Sequence, residues 1–174
     1  MADEHEREWI RKCQEGDAEA FEELVRRHQR MIHALAYRMT GSVSDAEDIA
    51  QETFLRAYRQ IGGFRGEASF SSWVYRIALN TCMNWKKSAD RRQHLHEEWA
   101  NEQNDAAPSH DTAARVNEAL RKLEAKQRAA IVLTVYEGMN HAEAARVLGC
   151  SETTVSWRVF MARKKLKRWL QAQI

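Results

Sequence analysis

Apolar residues recur at spacings of three and four along almost the whole chain, and the pattern fails outright in EEWANEQNDAAPSHD (97–111), which holds the only proline, Pro108. That period belongs to amphipathic helices, and the runs of β-branched residues that mark strands are missing. The chain is therefore expected to be all-α, with two small helical domains joined by an acidic flexible linker. Its 174 residues can build one ordinary core or two small ones. The expected division is 1–92, a linker at 93–111, and 112–174.

A formal net charge of +2 conceals a segregated distribution. Residues 1–92 carry 15 basic and 15 acidic side chains, 93–111 carry 5 acidic and no basic ones, and 112–174 carry 12 basic and 5 acidic. A basic C-terminal third beside an acidic spacer is an electrostatic footprint for a polyanion. Apolar runs are far too short to span a bilayer and the acidic start has no signal-peptide core, so no membrane insertion and a cytoplasmic location are expected. Cys13, Cys82 and Cys150 lie far apart without a C-x-x-C spacing and read as reduced thiols. His94 and His96 form an H-x-H pair that lacks further ligands, so neither metal nor cofactor is expected. No glycine loop of the phosphate-cradling kind and no nucleophile with its base is present, so no catalytic residue is assigned.

In the first half, one helical pattern starts at Ile10 and Cys13, breaks near Gly16 and Asp17, and continues from Ala20 through Met39 to Gly41. Ser44-Asp-Ala-Glu47 has the form of a capping box for a helix reaching about Ile61. A glycine-rich loop follows, and Ser69-Phe-Ser-Ser-Trp73 leads into a third helix to about Arg92. In the second half, Val116, Leu120 and Leu123 define one helix, and Ala130, Ile131, Leu133 and Val135 another that Gly138 stops. Asn140-His-Ala-Glu143 is a second capping box, Gly149 ends the short helix it opens, and Ser151 caps a long basic helix.

Ala145, Gly149 and Val155 supply the small crossing residue, the turn residue and the apolar anchor of a helix-turn-helix. Val147, Leu148, Val155, Val159 and Ala162 should pack inward, leaving Thr153, Thr154, Ser156, Trp157, Arg158, Phe160 and Met161 outward or flanking. The second helix of such a unit enters a major groove, where side chains read base edges and cations hold phosphates. Arg158 is the leading base-edge or phosphate contact. Arg163, Lys164, Lys165, Lys167 and Arg168 serve either as phosphate contacts or as solvated charge complementing the helix dipole. Trp157 and Phe160 are open between core and surface roles.

Two stretches, DAEDIAQETFLRAYRQIGGFRGEASFSSWVYRIALNTCMNWKK (45–87) and LRKLEAKQRAAIVLTVYEGMNHAEAARVLGCSETTVSWRVFMARKKL (120–166), resemble the two domains of a bacterial sigma factor of the extracytoplasmic-function (ECF) group. The acidic helix start, the FRG loop, the SF-x-x-W-x-Y-R-I-A-x-N segment and the helix-turn-helix follow in the family's order. The resemblance implies a sigma-two domain that binds a coiled coil of the largest subunit of RNA polymerase and melts the minus-ten element. It implies equally a sigma-four domain that binds the flap tip and the minus-thirty-five element, and control by an anti-sigma factor. Asp48, Gln51, Glu52 and Leu55 share one helix face, the expected polymerase-docking face, while Ala46, Ile49, Ala50, Thr53 and Ala57 share another. Phe70, Trp73, Arg76, Asn80, Asn84, Lys86 and Lys87 are the expected minus-ten contacts, since rings and cations together suit unpaired DNA. Asn80 matches, by resemblance, a position that captures a flipped base, whereas Phe70 and Trp73 fit a core equally well. Thr153, Thr154, Ser156, Trp157, Arg158, Phe160, Arg163 and Lys164 are the expected minus-thirty-five contacts.

Many relatives carry a basic residue at the position of Ser156 and another at Met161, and this chain has neither. The identity of the minus-thirty-five sequence is thereby left open. The acidic linker either runs through basic channels of the polymerase or is a plain tether. Two rivals remain at this point: a stand-alone helix-turn-helix regulator, and a helical interaction protein with a basic tail. Neither gives 45–87 a purpose.

Overall fold

The computed structural model describes residues 4–96 and 112–171, with side chains as far as Trp85 and again from Ala114. Every regular element among the described residues is helical: α1 (Glu4–Gln14), α2 (Ala18–Thr40), α3 (Val43–Gln60), a 3-10 turn (Ile61–Gly63), α4 (Phe70–His96), α5 (Thr112–Arg121), α6 (Ala125–Ile131), a π turn (Val132–Tyr136), α7 (His141–Leu148) and α8 (Glu152–Gln171). Two compact units result, 1–37 with 42–81 and 38–41 with 82–174. Packing changes hands inside α4, because that helix continues unbroken past the last residue of the first unit. Most of the expected linker, 97–111, lies outside the described residues, as do the side chains of Lys86, Lys87, His94 and His96.

In the first unit, α2 buries Phe21, Leu24, Ile32 and Leu35 at spacings that return to one face every turn. The same stripe contains His28, a polar group in an apolar row, and α1 answers it: Glu6 Oε1 lies 2.7 Å from His28 Nε2, with both side chains buried. Such a pair is tolerated inside only because each group satisfies the other. The far end of α1 is fastened as well, since Gln14 Nε2 donates to the carbonyls of Ile61 (3.1 Å) and Phe64 (2.8 Å). Asp17 Oδ1 accepts the backbone N–H groups of Glu19 and Ala20 and so caps α2.

Helix α3 starts earlier than the Ser44 box implies. Its cap is Ser42, whose hydroxyl accepts from the Asp45 backbone N–H at 3.2 Å. Gly41, at φ +77, has already ended α2 in the left-handed region, leaving Ser42 as the extended hinge residue and Ser44 inside the first turn. Ala46, Ile49, Thr53 and Ala57 are buried as expected, Thr53 returning its hydroxyl to the Ile49 carbonyl. Helix α4 begins at a cap made by Ser69, whose Oγ accepts from the Ser72 N–H. It is covered on most sides, with Phe70, Val74, Tyr75, Ile77, Ala78, Leu79, Thr81 and Cys82 all buried.

In the second unit α6 is buried all round, from Gln127 to Ile131. Arg128 lies in that helix and uses its guanidinium as a cap, donating to the carbonyls of Met39, Arg121 and Leu123, all within this unit. Burial, and next the neighbouring Arg121, hold its pKa below the ordinary guanidinium value. The chain then enters the π turn, where Glu137 N–H reaches back five residues to the Val132 carbonyl. The wider turn advances the register, so Val135 faces solvent instead of joining the apolar face. Asn140 and Glu143 form the reciprocal capping box of α7, as expected. Gly149, at φ 61 and ψ 41, ends α7, and Ser151 caps α8 through the Thr154 N–H. Val155, Val159 and Ala162 anchor α8, and Lys165 Nζ ties it to the Gln127 amide oxygen at 2.9 Å.

Burial, the largest influence, holds the His28 imidazole below its ordinary value of about 6.5 despite the Glu6 hydrogen bond, with Arg27 acting in the same direction as burial. A group whose folded pKa is depressed adds stability above its unfolded pKa and loses it as pH falls through the folded one. The first unit should therefore weaken as pH falls below about 6.5, and His28→Asn should flatten that dependence in urea melts. Identical pH profiles for both proteins would refute this. In the second unit, Arg128→Met strands several carbonyls and should cost about 2–4 kcal/mol in a denaturant titration. A loss below about 1 kcal/mol would mean that water replaces the guanidinium.

Candidate functional site

Three surfaces remain after the cores are accounted for. The first is a groove of about 860 Å³ between α2 and α3, lined by Phe21, Val25, Arg30 and His33 on one side and Gln51, Phe54, Leu55 and Tyr58 on the other. Leu55 is 52% exposed and Tyr58 45%, an unusual state for side chains that apolar. The Tyr58 ring stands edge-on to Phe21 at 5.0 Å, which holds the groove wall in place. Of the expected docking face, Gln51 and Leu55 enter the groove, whereas Asp48 is exposed and Glu52 is engaged by Arg56 at 2.6 Å, neither lining it. The α2 half of the groove was missed in the sequence. Its signal was present in the apolar positions 21 and 25, which read simply as core.

The second surface is the stripe that α4 leaves open. Arg76, Asn80 and Asn84 are exposed, recur every four residues and so lie one above another. Trp73 precedes them, half-buried, with its ring 5.2 Å from Phe64 and 5.5 Å from Phe70. Phe70 itself is 1% exposed, packed against His28, Phe64 and Trp73. It is a core residue that supports Trp73, not a ring offered to a base. The side chains of Lys86 and Lys87 fall outside the described residues.

The third surface is α8. Thr153, Trp157, Phe160, Arg163 and Lys164 are exposed, and Thr154, Ser156 and Met161 are half-buried. Trp157 and Phe160 settle as surface residues, 58% and 64% exposed. Two expected readers are otherwise employed. Arg158 is half-buried and donates to Cys150 Sγ at 3.4 Å, while Ser156 Oγ is 2.8 Å from His141 Nδ1.

The cysteines are free thiols, and burial pushes Cys13 up to about 11 and Cys82 up to about 12, so neither is a thiolate at neutral pH. Among the described residues no cluster of His, Cys, Asp and Glu could hold a metal ion, and no helix is long and apolar enough to cross a membrane.

Comparison with known proteins names the family to which a chain with these surfaces belongs. The family Sigma-70 region 2 matches residues 24–92, and the family Sigma-70, region 4 matches residues 113–166. The RNA polymerase sigma-H factor of Pseudomonas aeruginosa is 31% identical, across 98% of this chain and 96% of that protein. The ECF RNA polymerase sigma factor SigM of Mycobacterium tuberculosis is 38% identical, across 89% and 79% respectively. Among solved structures, CnrH in complex with the cytosolic domain of CnrY superposes with a TM-score of 0.75 at 30% identity, across 98% of this chain and 100% of that one. The groove, the stripe and the helix-turn-helix thus belong to an RNA polymerase sigma factor, and the chain is a member of the sigma-70 family, ECF group.

Proposed function

We propose that residues 1–92 act as the sigma-two domain, docking the coiled coil of the largest polymerase subunit in the α2–α3 groove and opening the minus-ten element along α4. Residues 112–174 act as the sigma-four domain, meeting the flap tip and placing α8 on the minus-thirty-five element, with 93–111 as the connection. The observation that carries this is the groove: an open apolar cleft with exposed Leu55 and Tyr58 suits the insertion of another helix. A stand-alone regulator has no use for it. Asp48 and Glu52 sit beside the groove as a polar rim, where charge steers an approach more than it adds affinity.

Within α4, Arg76 follows phosphate while Asn80 and Asn84 each present a paired donor and acceptor to an extruded base. Trp73, held from behind by Phe64 and Phe70, offers the remaining ring surface for stacking. Catalysis stays with the polymerase, and the site of action is the cytoplasm, at the nucleoid. An anti-sigma factor is the expected regulator and would compete with polymerase by covering the groove; that CnrH was solved in complex with the cytosolic domain of CnrY supports a protein partner of this kind.

Mixing the purified chain with polymerase core and following co-elution on a sizing column tests the docking role. Leu55→Ala together with Gln51→Ala should weaken core binding by about tenfold or more, and Asp48→Ala by much less. Equal effects would move the docking site out of the groove. Asn80→Ala should leave core binding intact and reduce permanganate reactivity of promoter thymines. Normal reactivity in that variant would end the flipped-base role.

A further inference from the structure

Thr153, Trp157, Phe160 and Lys164 stand at intervals of four, three and four, so one face of α8 carries all of them. The opposite face is committed: Val155, Val159 and Ala162 are buried, and the helix cannot roll to hide the aromatics. Trp157 and Phe160 are the two most exposed large apolar side chains among the described residues. Beside them, Arg158 is half-buried with one Nη donating to Cys150 Sγ, and Ser156 Oγ is held 2.8 Å from His141 Nδ1, so polar groups give less of this face than the two rings do. Basic residues at 156 and 161 are absent, and the exposed cations Arg163, Lys164, Lys167 and Arg168 lie farther along the helix. That placement suits phosphates flanking a groove better than base edges in its centre.

An apolar pair followed along the helix by cations suited to phosphate has one natural counterpart in a major groove. Thymine alone among the four bases presents a methyl group there, and aromatic and aliphatic side chains recognise it by contact. We propose that Trp157 and Phe160 are specificity-determining residues that read thymine methyl groups in the upstream promoter element. This deepens the minus-thirty-five assignment of α8 and rests on it. Charge complementarity argues for DNA over a protein partner on this face, because four exposed cations follow the aromatics along the same helix.

The test uses holoenzyme, the full chain bound to polymerase core. Duplexes would be selected from a random-sequence pool, and each upstream thymine of the recovered sequences replaced in turn by deoxyuridine. That change removes the methyl and keeps the O4 acceptor and the pairing. At one or more positions the wild-type holoenzyme should lose about fourfold in affinity, the factor for one buried methyl group. The Trp157→Ala, Phe160→Ala variant should bind thymine and deoxyuridine duplexes alike, with unchanged helicity in circular dichroism since both side chains are exposed. Indifference of the wild type to deoxyuridine everywhere would overturn the proposal while leaving α8 on DNA. Retained deoxyuridine sensitivity in the double variant would overturn it too, and hand the aromatic pair to a protein partner. If holoenzyme recovers no sequence at all, the minus-thirty-five role fails and the proposal with it.

Discussion

Gly149 decides where α8 points, and every surface on that helix inherits the decision. At φ 61 and ψ 41 the backbone is left-handed, a conformation that costs an ordinary L-residue about 1–2 kcal/mol. A Cβ there would meet nothing within 4 Å, so the constraint lies in the backbone and not in crowding. The Cys150 N–H closes the turn on the Ala145 carbonyl at 3.1 Å, and the Asn140–Glu143 box fixes the other end of α7. With both ends of so short a helix satisfied, Val155, Val159 and Ala162 meet the core and the aromatics of α8 are turned to solvent.

Helix α4 solves a different problem, how to bury most of its described side chains and still present polar groups. Between Phe70 and Trp85, α4 gives up all but one narrow stripe to packing, and the exposed residues there are an arginine and two asparagines at one-turn spacing. Behind the stripe the Phe64, Phe70 and Trp73 rings form a rigid backing whose position depends on α1, because Gln14 holds the Ile61 and Phe64 carbonyls. The Glu6–His28 pair fixes the same helix to α2 with the His28 ring 5.2 Å from Phe70. Removing α1 would therefore loosen the α4 stripe without touching any residue on it.

How much of this the sequence disclosed depends on whether a feature was local. Helix boundaries at Gly41, Gly138 and Gly149 and the Asn140 box were legible, because each is a bargain among residues within one turn of one another. The Ser44 box failed for a reason of the same scale, since Gly41 had already used the turn and Ser42 came next. Val135 was misplaced because a π turn changes the period on which the assignment relied. Phe70, Arg158 and the α2 wall of the groove were beyond reach, because their roles are set by residues far away in sequence or by competition for a side chain. Nothing in the chain announces that Arg158 will turn to Cys150, or that Phe21 will line a cleft as well as join the core.

The second unit carries most of the positive charge, and the exposed cations of α8 provide attraction that is indifferent to sequence and weakens with salt. A helix with few free donors at its centre adds little discrimination of its own, since one methyl contact is worth far less than a bidentate hydrogen-bond pair. Discrimination then has to come from joining two modest readers. If the α4 stripe and the α8 face bind promoter elements as proposed, holding both on one polymerase would let them meet those elements at high effective concentration, so that weak preferences multiply. On the proposed roles, the groove between α2 and α3 would take part in promoter choice as well as in docking: a chain not seated on polymerase would retain the phosphate attraction and lack the geometry that makes it selective.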